Sequence, residues 1–182
     1  RGAARRLVHG GEGSAGQVDA GGEHAKGTRR AAVAGADVDA NRAALDRLKG
    51  FVEKASDADL AHPMEDGWTV ASVLAHAAFW DLRVVACVDA WGPDGSGPVP
   101  TYYDDAVDWI NDAAKPLISA LEPRVAARVT IEAAEAADER VARLSDELLA
   151  RNEAMGLLVN PDRADHRLEH LDEIERTLSG KS

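Results

Sequence analysis

The sequence predicts an all-α fold, and three observations support this prediction. From residue 37 onward, apolar residues recur at intervals of three and four, as they do on one face of an amphipathic helix. Almost no segment alternates apolar and polar residues in the manner of a half-buried strand. Glycine and proline stand between the periodic segments, where helices usually begin or end. Together these patterns indicate a helical bundle.

The first two predicted helices come from the first half of the chain. Helix A begins near residue 37 and carries one continuous apolar face. A turn at 63–67 follows, and Thr69 is expected to be the N-cap of helix B, because a threonine hydroxyl can accept from the first free backbone N–H groups. Gly92 ends helix B, and a Gly- and Pro-rich loop is predicted at 92–100.

Three further helices are predicted in the second half. Helix C contains Pro116, which is expected to kink or split it because proline lacks a backbone donor. Helix D is predicted as one long helix that begins after Pro123 and runs through Leu148. Helix E is predicted to begin with Asn160 as its N-cap and Pro161 in its first turn, and to end near residue 178.

The chain divides by composition into a tail and one domain. Residues 1–35 contain nine of the sixteen glycines and hardly any large apolar side chain, so they cannot bury enough surface to offset their conformational entropy. A flexible tail is therefore predicted at 1–36, and the helical domain at 37–182. His9 and His24 lie in this tail and carry no positional information.

Charge and cysteine content limit the partners and the kinds of site. A formal net charge of −11, without a basic stripe in the folded part, argues against nucleic acid or a membrane surface as a partner. The sequence has no run of about 18 apolar residues and no apolar leader, so a soluble cytoplasmic protein is expected. With Cys87 as its one cysteine, the chain has no intrachain disulfide and no Cys-rich zinc site. Any bound metal ion would therefore need histidine ligands.

Three histidines stand out by position. The segment DHRLEHLDEIERTL places His166 and His170 four residues apart, on the same side of helix E. His76 lies on the apolar seam of helix B, so it is expected to point toward the bundle interior or its edge. Two alternatives stay open at this point: a core histidine that is hydrogen-bonded to a carbonyl or carboxylate, and a solvated helix face.

Two segments resemble the signature regions of the DinB/YfiT-like family, which is related to the mycothiol-dependent maleylpyruvate isomerase N-terminal domain. They are GWTVASVLAHAAFWDLR and DRADHRLEHLDEIERTL, and the matching positions are Trp68, Thr69, His76, His166 and His170. The similarity covers roughly residues 38–178. It implies a four-helix bundle with a long connection between the second and third main helices, so that helix C belongs to this connection. It also implies a divalent metal ion held by His76, His166 and His170.

Such a site would suit catalysis. Three imidazoles leave a coordination position open, and Zn²⁺ is expected first, although Ni²⁺ and Fe²⁺ also accept imidazole nitrogen. The resemblance implies either transfer or isomerisation with a low-molecular-weight thiol, which is preferred, or hydrolysis of a small-molecule substrate. The alternative is a non-catalytic binding or stress-response module that the metal stabilises. The oligomeric state is left open, with a homodimer as one option. With ordinary histidine pKa values near 6.5, the metal is expected to leave on mild acidification.

Other conspicuous residues receive structural interpretations. Asp81, Asp165 and Glu169 could orient imidazoles or move protons, but they are not assigned as catalytic, because charged helix residues are more often simply solvated. Cys87 is interpreted as a small core residue and His62 as an exposed turn residue. The four tryptophans could wall a pocket, but packing is the preferred interpretation for Trp68, Trp80, Trp91 and Trp109.

Removal of residues 1–34 should leave the melting temperature nearly unchanged, because this segment is too poor in large apolar residues to form a core. Thermal unfolding of the full and shortened chains, followed by far-UV circular dichroism, measures the difference. A large drop on truncation would show that the segment packs on the domain.

Overall fold

The computed structural model describes residues 37–92, 94–97, 107–156 and 159–180. Within these ranges it contains seven α-helices, a single-turn 3₁₀-helix and no strand. The helices are α1 (Val38–Lys54), α2 (Asp57–Leu60), the 3₁₀-helix (Glu65–Gly67), α3 (Val70–Trp91), α4 (Val107–Ser119), α5 (Pro123–Val141), α6 (Asp146–Ala154) and α7 (Ala164–Ser179). The predicted all-α fold is confirmed. The tail predicted at 1–36 lies outside the described residues, as does part of the loop predicted at 92–100.

The four longest helices, α1, α3, α5 and α7, pack against one another. Helix α3 contacts both α5 and α7, and α1 contacts α5 and α7 from the other side. Helix α4 belongs to the connection between α3 and α5 and lies against α3. That the arrangement is a bundle of the DinB/YfiT-like type in particular stays a prediction.

Alanine allows α3 and α5 to approach closely. Both helices present buried alanines to the core, and a methyl side chain leaves little between two backbones. The alanines on α3 are Ala71, Ala75, Ala77 and Ala78, and those on α5 are Ala126, Ala127, Ala133, Ala134 and Ala137. Larger side chains such as Leu48, Leu74, Leu171 and Ile174 fill the remaining space between the four long helices. This close packing fixes α3 as the central element of the domain.

Helix α3 is also apolar enough, by length and composition alone, to cross a membrane. However, 61% of the most apolar 18-residue segment of this helix is buried inside the protein. It also carries Asp81, whose charge is fully buried and paired. Both features are typical of the core helix of a soluble domain, and the small helical domain is consistent with a soluble protein.

A tight turn sets the start of α3. Pro63 and Thr69 pair as an isolated antiparallel bridge, and the backbone passes through left-handed conformations at Asp66 (φ 54°) and Gly67 (φ 74°). Glycine at residue 67 accepts this geometry without steric cost. The side chain of Thr69 then accepts from the Ser72 N–H while Ser72 bonds back to the Thr69 N–H, so the predicted N-cap is confirmed as one half of a capping box.

Helix D of the prediction is two helices, so that prediction was wrong. Helix α5 ends at Val141, a short turn follows, and α6 begins at Asp146 with Ser145 as its N-cap. The apolar periodicity continues across the break because Leu144 still packs on the core. Periodicity alone therefore concealed the stronger local signal, a serine followed by two acidic residues, which is typical of a helix start.

The expected split at Pro116 does not occur, because α4 continues through this residue to Ser119. The predicted start of helix E was also wrong. Asn160 forms a local turn with the Asp162 N–H, and α7 begins only at Ala164.

The cap of α7 comes from α1. The buried Asn41 side chain accepts from the backbone N–H groups of Arg163 and Ala164 at 2.8 and 2.9 Å, and it donates to the Pro161 carbonyl at 3.0 Å. Because Asn41 lies more than a hundred residues before α7, no local pattern near α7 could have indicated it.

Asn41→Ala should lower the free energy of unfolding by about 2–3 kcal/mol, because two buried backbone donors would lose their acceptor. Asn160→Ala is the matched control, and it should cost no more than about 0.5 kcal/mol because its turn is exposed. Urea denaturation measures both variants. Equal losses would contradict the assignment of Asn41 as the cap of α7.

Candidate metal centre

Helix α3 supplies His76. This side chain is half-buried between two indole rings, with ring centroids 5.7 Å from Trp68 and 6.5 Å from Trp80 in edge-on arrangements. The turn before α3 positions Trp68, and Trp80 lies one helical turn beyond His76. The two indoles therefore restrict the imidazole to a narrow range of orientations.

Helix α7 supplies His166 and His170, whose Nε2 atoms lie 3.2 Å apart. The ring of His76 meets them from α3, with centroid distances of 5.7 Å to His166 and 5.1 Å to His170. Each histidine offers a ligand nitrogen, and all three nitrogens lie within 4.8 Å of one another. The structure thus brings together the three residues that the sequence singled out, as a group that could hold a metal ion.

The donor set fits a divalent transition metal. Two ligands at the usual Zn–N distance and a tetrahedral angle are separated by about 3.3–3.4 Å, which is close to the spacing of the α7 pair. In addition, Nδ1 of His76 is buried and makes no hydrogen bond to the described residues. Buried imidazole nitrogens ordinarily have a partner. Metal binding by these histidines stays a prediction, which the spacing of the α7 pair supports.

The environment keeps two of the imidazoles neutral. Burial, together with the neighbouring His170, lowers the pKa of His76 to about 4. Burial is also the main cause that lowers the pKa of His166 to about 3, and nearby His170, Arg163, His76 and Arg167 add to it. Because neutral imidazole is the form that coordinates, these two rings compete less with protons than ordinary histidines do. The expectation of metal loss near pH 6.5 therefore moves to lower pH.

Asp81 does not orient an imidazole. It is 1% exposed, and its two carboxylate oxygens accept from Arg163 at 2.8 Å and from Arg167 at 3.0 Å. Arg167 also pairs with Asp138 of α5 at 2.9 Å and donates to the Ala134 carbonyl. Burial raises the pKa of Asp138, and the positive charge of Arg167 opposes this shift. Buried Asp81, Arg163 and Arg167 thus form a network with half-buried Asp138, without excess charge, beside the histidines.

Arg163 links this network to the histidines. Its Nη2 lies 3.5 Å from Nδ1 of His166. Because guanidinium can only donate, this contact suits a His166 ring that is protonated at Nε2 and donates to His170. Coordination through Nε2 would move the proton to Nδ1, so this long contact would have to open when a metal binds. On the other side, Oε2 of Glu173 lies 3.5 Å from Nδ1 of His170, where it could hold that N–H.

Two clefts open onto the histidines. The first, here called the acidic cleft, has a volume of about 500 Å³ and is lined by Glu65, Asp66, Trp68, Val73, His76, Asp108, Asn111, Asp112, Lys115, His170 and Glu173. The second, here called the Trp80 cleft, has a volume of about 530 Å³ and is lined by His76, Trp80, Val107, Asn111, Asn160, Arg163, His166, Glu169 and His170. Asn111 borders both clefts and accepts from Nε1 of Trp80 at 3.1 Å. The centre is therefore accessible to small molecules from two directions.

The remaining sequence interpretations have mixed outcomes. Cys87 is confirmed as a buried core residue, and Trp91 is buried as well. Trp68 and Trp80 line the clefts, so packing alone was the wrong interpretation for them. Trp109 is 63% exposed and packs little.

The remaining charged and turn residues near the histidines have no assigned role. Asp165 is exposed, and Glu169 borders the Trp80 cleft. His62 is half-buried in the turn before Pro63, so the prediction that it is exposed was wrong.

Sequence reasoning missed the contribution of α4 to the site. It treated this helix only as part of a connection, whereas Asn111 and Lys115 line the acidic cleft together with Asp108 and Asp112. A signal was present, because these four polar residues recur at intervals of three and four and so share one face of the helix. Nothing local, however, indicated that this face turns toward His76.

In this all-α domain, two helices bring three histidines together where two clefts meet. The fold and the site thus define a helical protein with a candidate metal centre. The chain belongs to the mycothiol maleylpyruvate isomerase N-terminal domain family, whose model matches residues 41–169. This is a DinB-like helical family, which confirms the resemblance in the sequence. The matched range includes His76 and His166 and ends one residue before His170. No curated protein and no solved structure matches the chain.

The metal-free protein should lose stability as the pH falls from about 6.5 toward 4, because the unfolded chain binds protons at His76 and His166 that the folded protein excludes. Each excluded proton contributes a slope of about 1.4 kcal/mol per pH unit. Urea denaturation of chelator-treated protein at several pH values measures this slope. His166→Gln removes one of the two groups and should give a shallower slope, and an unchanged slope would contradict the assignment.

Proposed function

We propose that this domain binds a divalent metal ion through His76, His166 and His170 and uses it to activate a low-molecular-weight thiol for transfer to, or isomerisation of, a small-molecule substrate. The observation that carries the proposal is the convergence of three ligand nitrogens within 4.8 Å of one another, in a family named for a mycothiol-dependent isomerase. Zn²⁺ is the proposed metal, because it commonly takes three imidazole ligands in catalytic sites, and the cytoplasm is the proposed location.

The metal, when bound, would lower the pKa of a coordinated thiol or water and so supply an anionic nucleophile at neutral pH. The residues around it have separate tasks. Trp68 and Trp80 shield His76 from water on two sides, and Glu173 is positioned to hold the Nδ1 proton of His170. The amide of Asn111, where the two clefts meet, can orient a polar group of a bound molecule.

The access to the histidines favours an enzyme over a module that merely uses metal for stability. A structural metal site is closed by protein ligands, whereas this one has three protein ligands and two clefts that reach it. Activation of water for hydrolysis would use the same open position. The thiol reaction is preferred over hydrolysis because of the family to which the chain belongs.

Replacement of His76, His166 or His170 by alanine should each weaken metal binding by about a hundredfold or more, because each removes one of three ligands. His62→Ala is the matched control. It removes an imidazole from the turn before α3, outside both clefts, and should change metal affinity little. Competition with a chromogenic chelator measures the affinity, and circular dichroism verifies that the fold is kept.

The same variants separate the two classes of function. In an enzyme, loss of the metal removes thiol transfer while much of the thermal stability remains, whereas in a structural module it lowers mainly the melting temperature. Stoichiometric metal in the α7 variants, or an equal loss in His62→Ala, would overturn the proposed centre.

A further inference from the structure

The acidic cleft has a strong excess of negative charge. Its lining contains five carboxylate side chains and one ammonium group, which gives a formal charge of −4. The carboxylates come from three parts of the chain: Glu65 and Asp66 from the turn before α3, Asp108 and Asp112 from α4, and Glu173 from α7. Three separate elements thus present like charge to one volume that also contains His76 and His170.

Four of these carboxylates have no ion-pair partner among the described residues, whereas Glu173 lies 3.5 Å from Nδ1 of His170. Among the ion pairs within the described ranges, none involves Glu65, Asp66, Asp108 or Asp112. Many other acidic side chains on this protein do have a partner, as in the pairs of Arg47 with Asp172 and Glu175. The cleft therefore retains negative charge that a bound cation could compensate.

The one ammonium group in the lining is already occupied. Nζ of Lys115 donates to the Asp66 backbone carbonyl at 2.5 Å and lies 4.7 Å from the ring centroid of Trp68. Both contacts hold Lys115 against the wall of the cleft, and no ion pair joins it to a carboxylate of the described residues. This cation–π contact also shows that the cleft wall accepts an alkylammonium group next to its indole.

The Trp80 cleft serves as an internal comparison. It reaches the same histidines and has nearly the same volume, but its charged side chains are one arginine and one glutamate, and Arg163 is paired with the buried Asp81. The negative charge is therefore concentrated on one of the two openings and is not simply the average surface of an acidic chain.

We propose that the acidic cleft selects molecules that carry a protonated amine, and that it disfavours molecules that carry a carboxylate. This inference rests on the proposed function, since it concerns ligands that are anchored at the same metal centre. The proposed ligands are cations, whereas maleylpyruvate, for which the family is named, is an anion. The physical basis is the field of several like charges in a cleft with partly apolar walls, which is stronger than the same charges would produce on a flat surface.

The test uses the full chain loaded with Co²⁺, whose thiolate charge-transfer absorption reports a sulfur ligand directly. Three probes of equal length are titrated at neutral pH: aminohexanethiol, hydroxyhexanethiol and mercaptohexanoic acid. All three anchor at the metal through sulfur and differ only at the far end, and the six-carbon chain prevents that end from chelating the same ion. The aminothiol should bind at least about tenfold more tightly than the carboxylate probe, and its advantage should shrink as salt is raised to about 0.5 M.

Variants locate the effect. Asp108→Asn combined with Asp112→Asn should remove most of the preference for the aminothiol. The control combines Glu53→Gln with Glu132→Gln, which changes the net charge equally through two exposed carboxylates that line neither cleft, and it should keep the preference.

The outcomes distinguish the two proposals. If Co²⁺ does not bind, or if metal-loaded protein gives no thiolate absorption with any probe, the proposed function is overturned. If all three probes bind with equal affinity, if the carboxylate probe binds best, or if the control variant loses the preference as fully as the α4 variant, the acidic cleft does not select amines. The metal-thiol function would then stand without this selectivity.

Discussion

The buried carboxylate of Asp81 determines where the three histidines can lie. A charge that is 1% exposed is tolerable only when it is paired. The partners of Asp81 are Arg163, the N-cap residue of α7, and Arg167 in the first turn of that helix. Any slip of α7 along α3 would leave at least one of these charges buried without a partner. His166 lies between the two arginines in sequence and His170 one turn further, so the register that satisfies Asp81 also brings them to His76.

In this arrangement, the side chains that carry charge are different from the histidines that would coordinate a metal. Next to the histidines, two arginines and two aspartates compensate one another's charges. Next to this network, burial lowers the pKa values of His76 and His166, so both rings stay neutral at physiological pH. By contrast, Glu65, Asp66, Asp108 and Asp112 of the acidic cleft form no ion pair with another described residue. A metal in the centre would thus meet the neutral rings of His76 and His166, while these four carboxylates belong to the turn before α3 and to α4.

The sequence predicted those features that depend on local periodicity and spacing. Amphipathic faces gave the helical class, Thr69 gave the start of α3, and the spacing of His166 and His170 gave their common face. What it could not give depends on contacts between distant segments. The start of α7 depends on Asn41, the role of Asp81 depends on two arginines more than eighty residues later, and the polar face of α4 lines a cleft only because α4 lies against α3. The missed break between α5 and α6 is different, because Ser145 signalled it locally while the apolar repeat continued across it.

The remote cap of α7 has a consequence for how the domain folds. Helix α7 carries two of the three histidines. Its first free N–H groups donate to Asn41, which lies 122 and 123 residues earlier in the sequence. Such non-local contacts are formed late, because the entropy of closing a long loop must be overcome before they contribute stability. The N-terminal end of α7 therefore takes its final form only after α1 has docked. A collapsed intermediate that lacks this docking would carry the histidine pair on a helix whose first backbone donors are still unsatisfied.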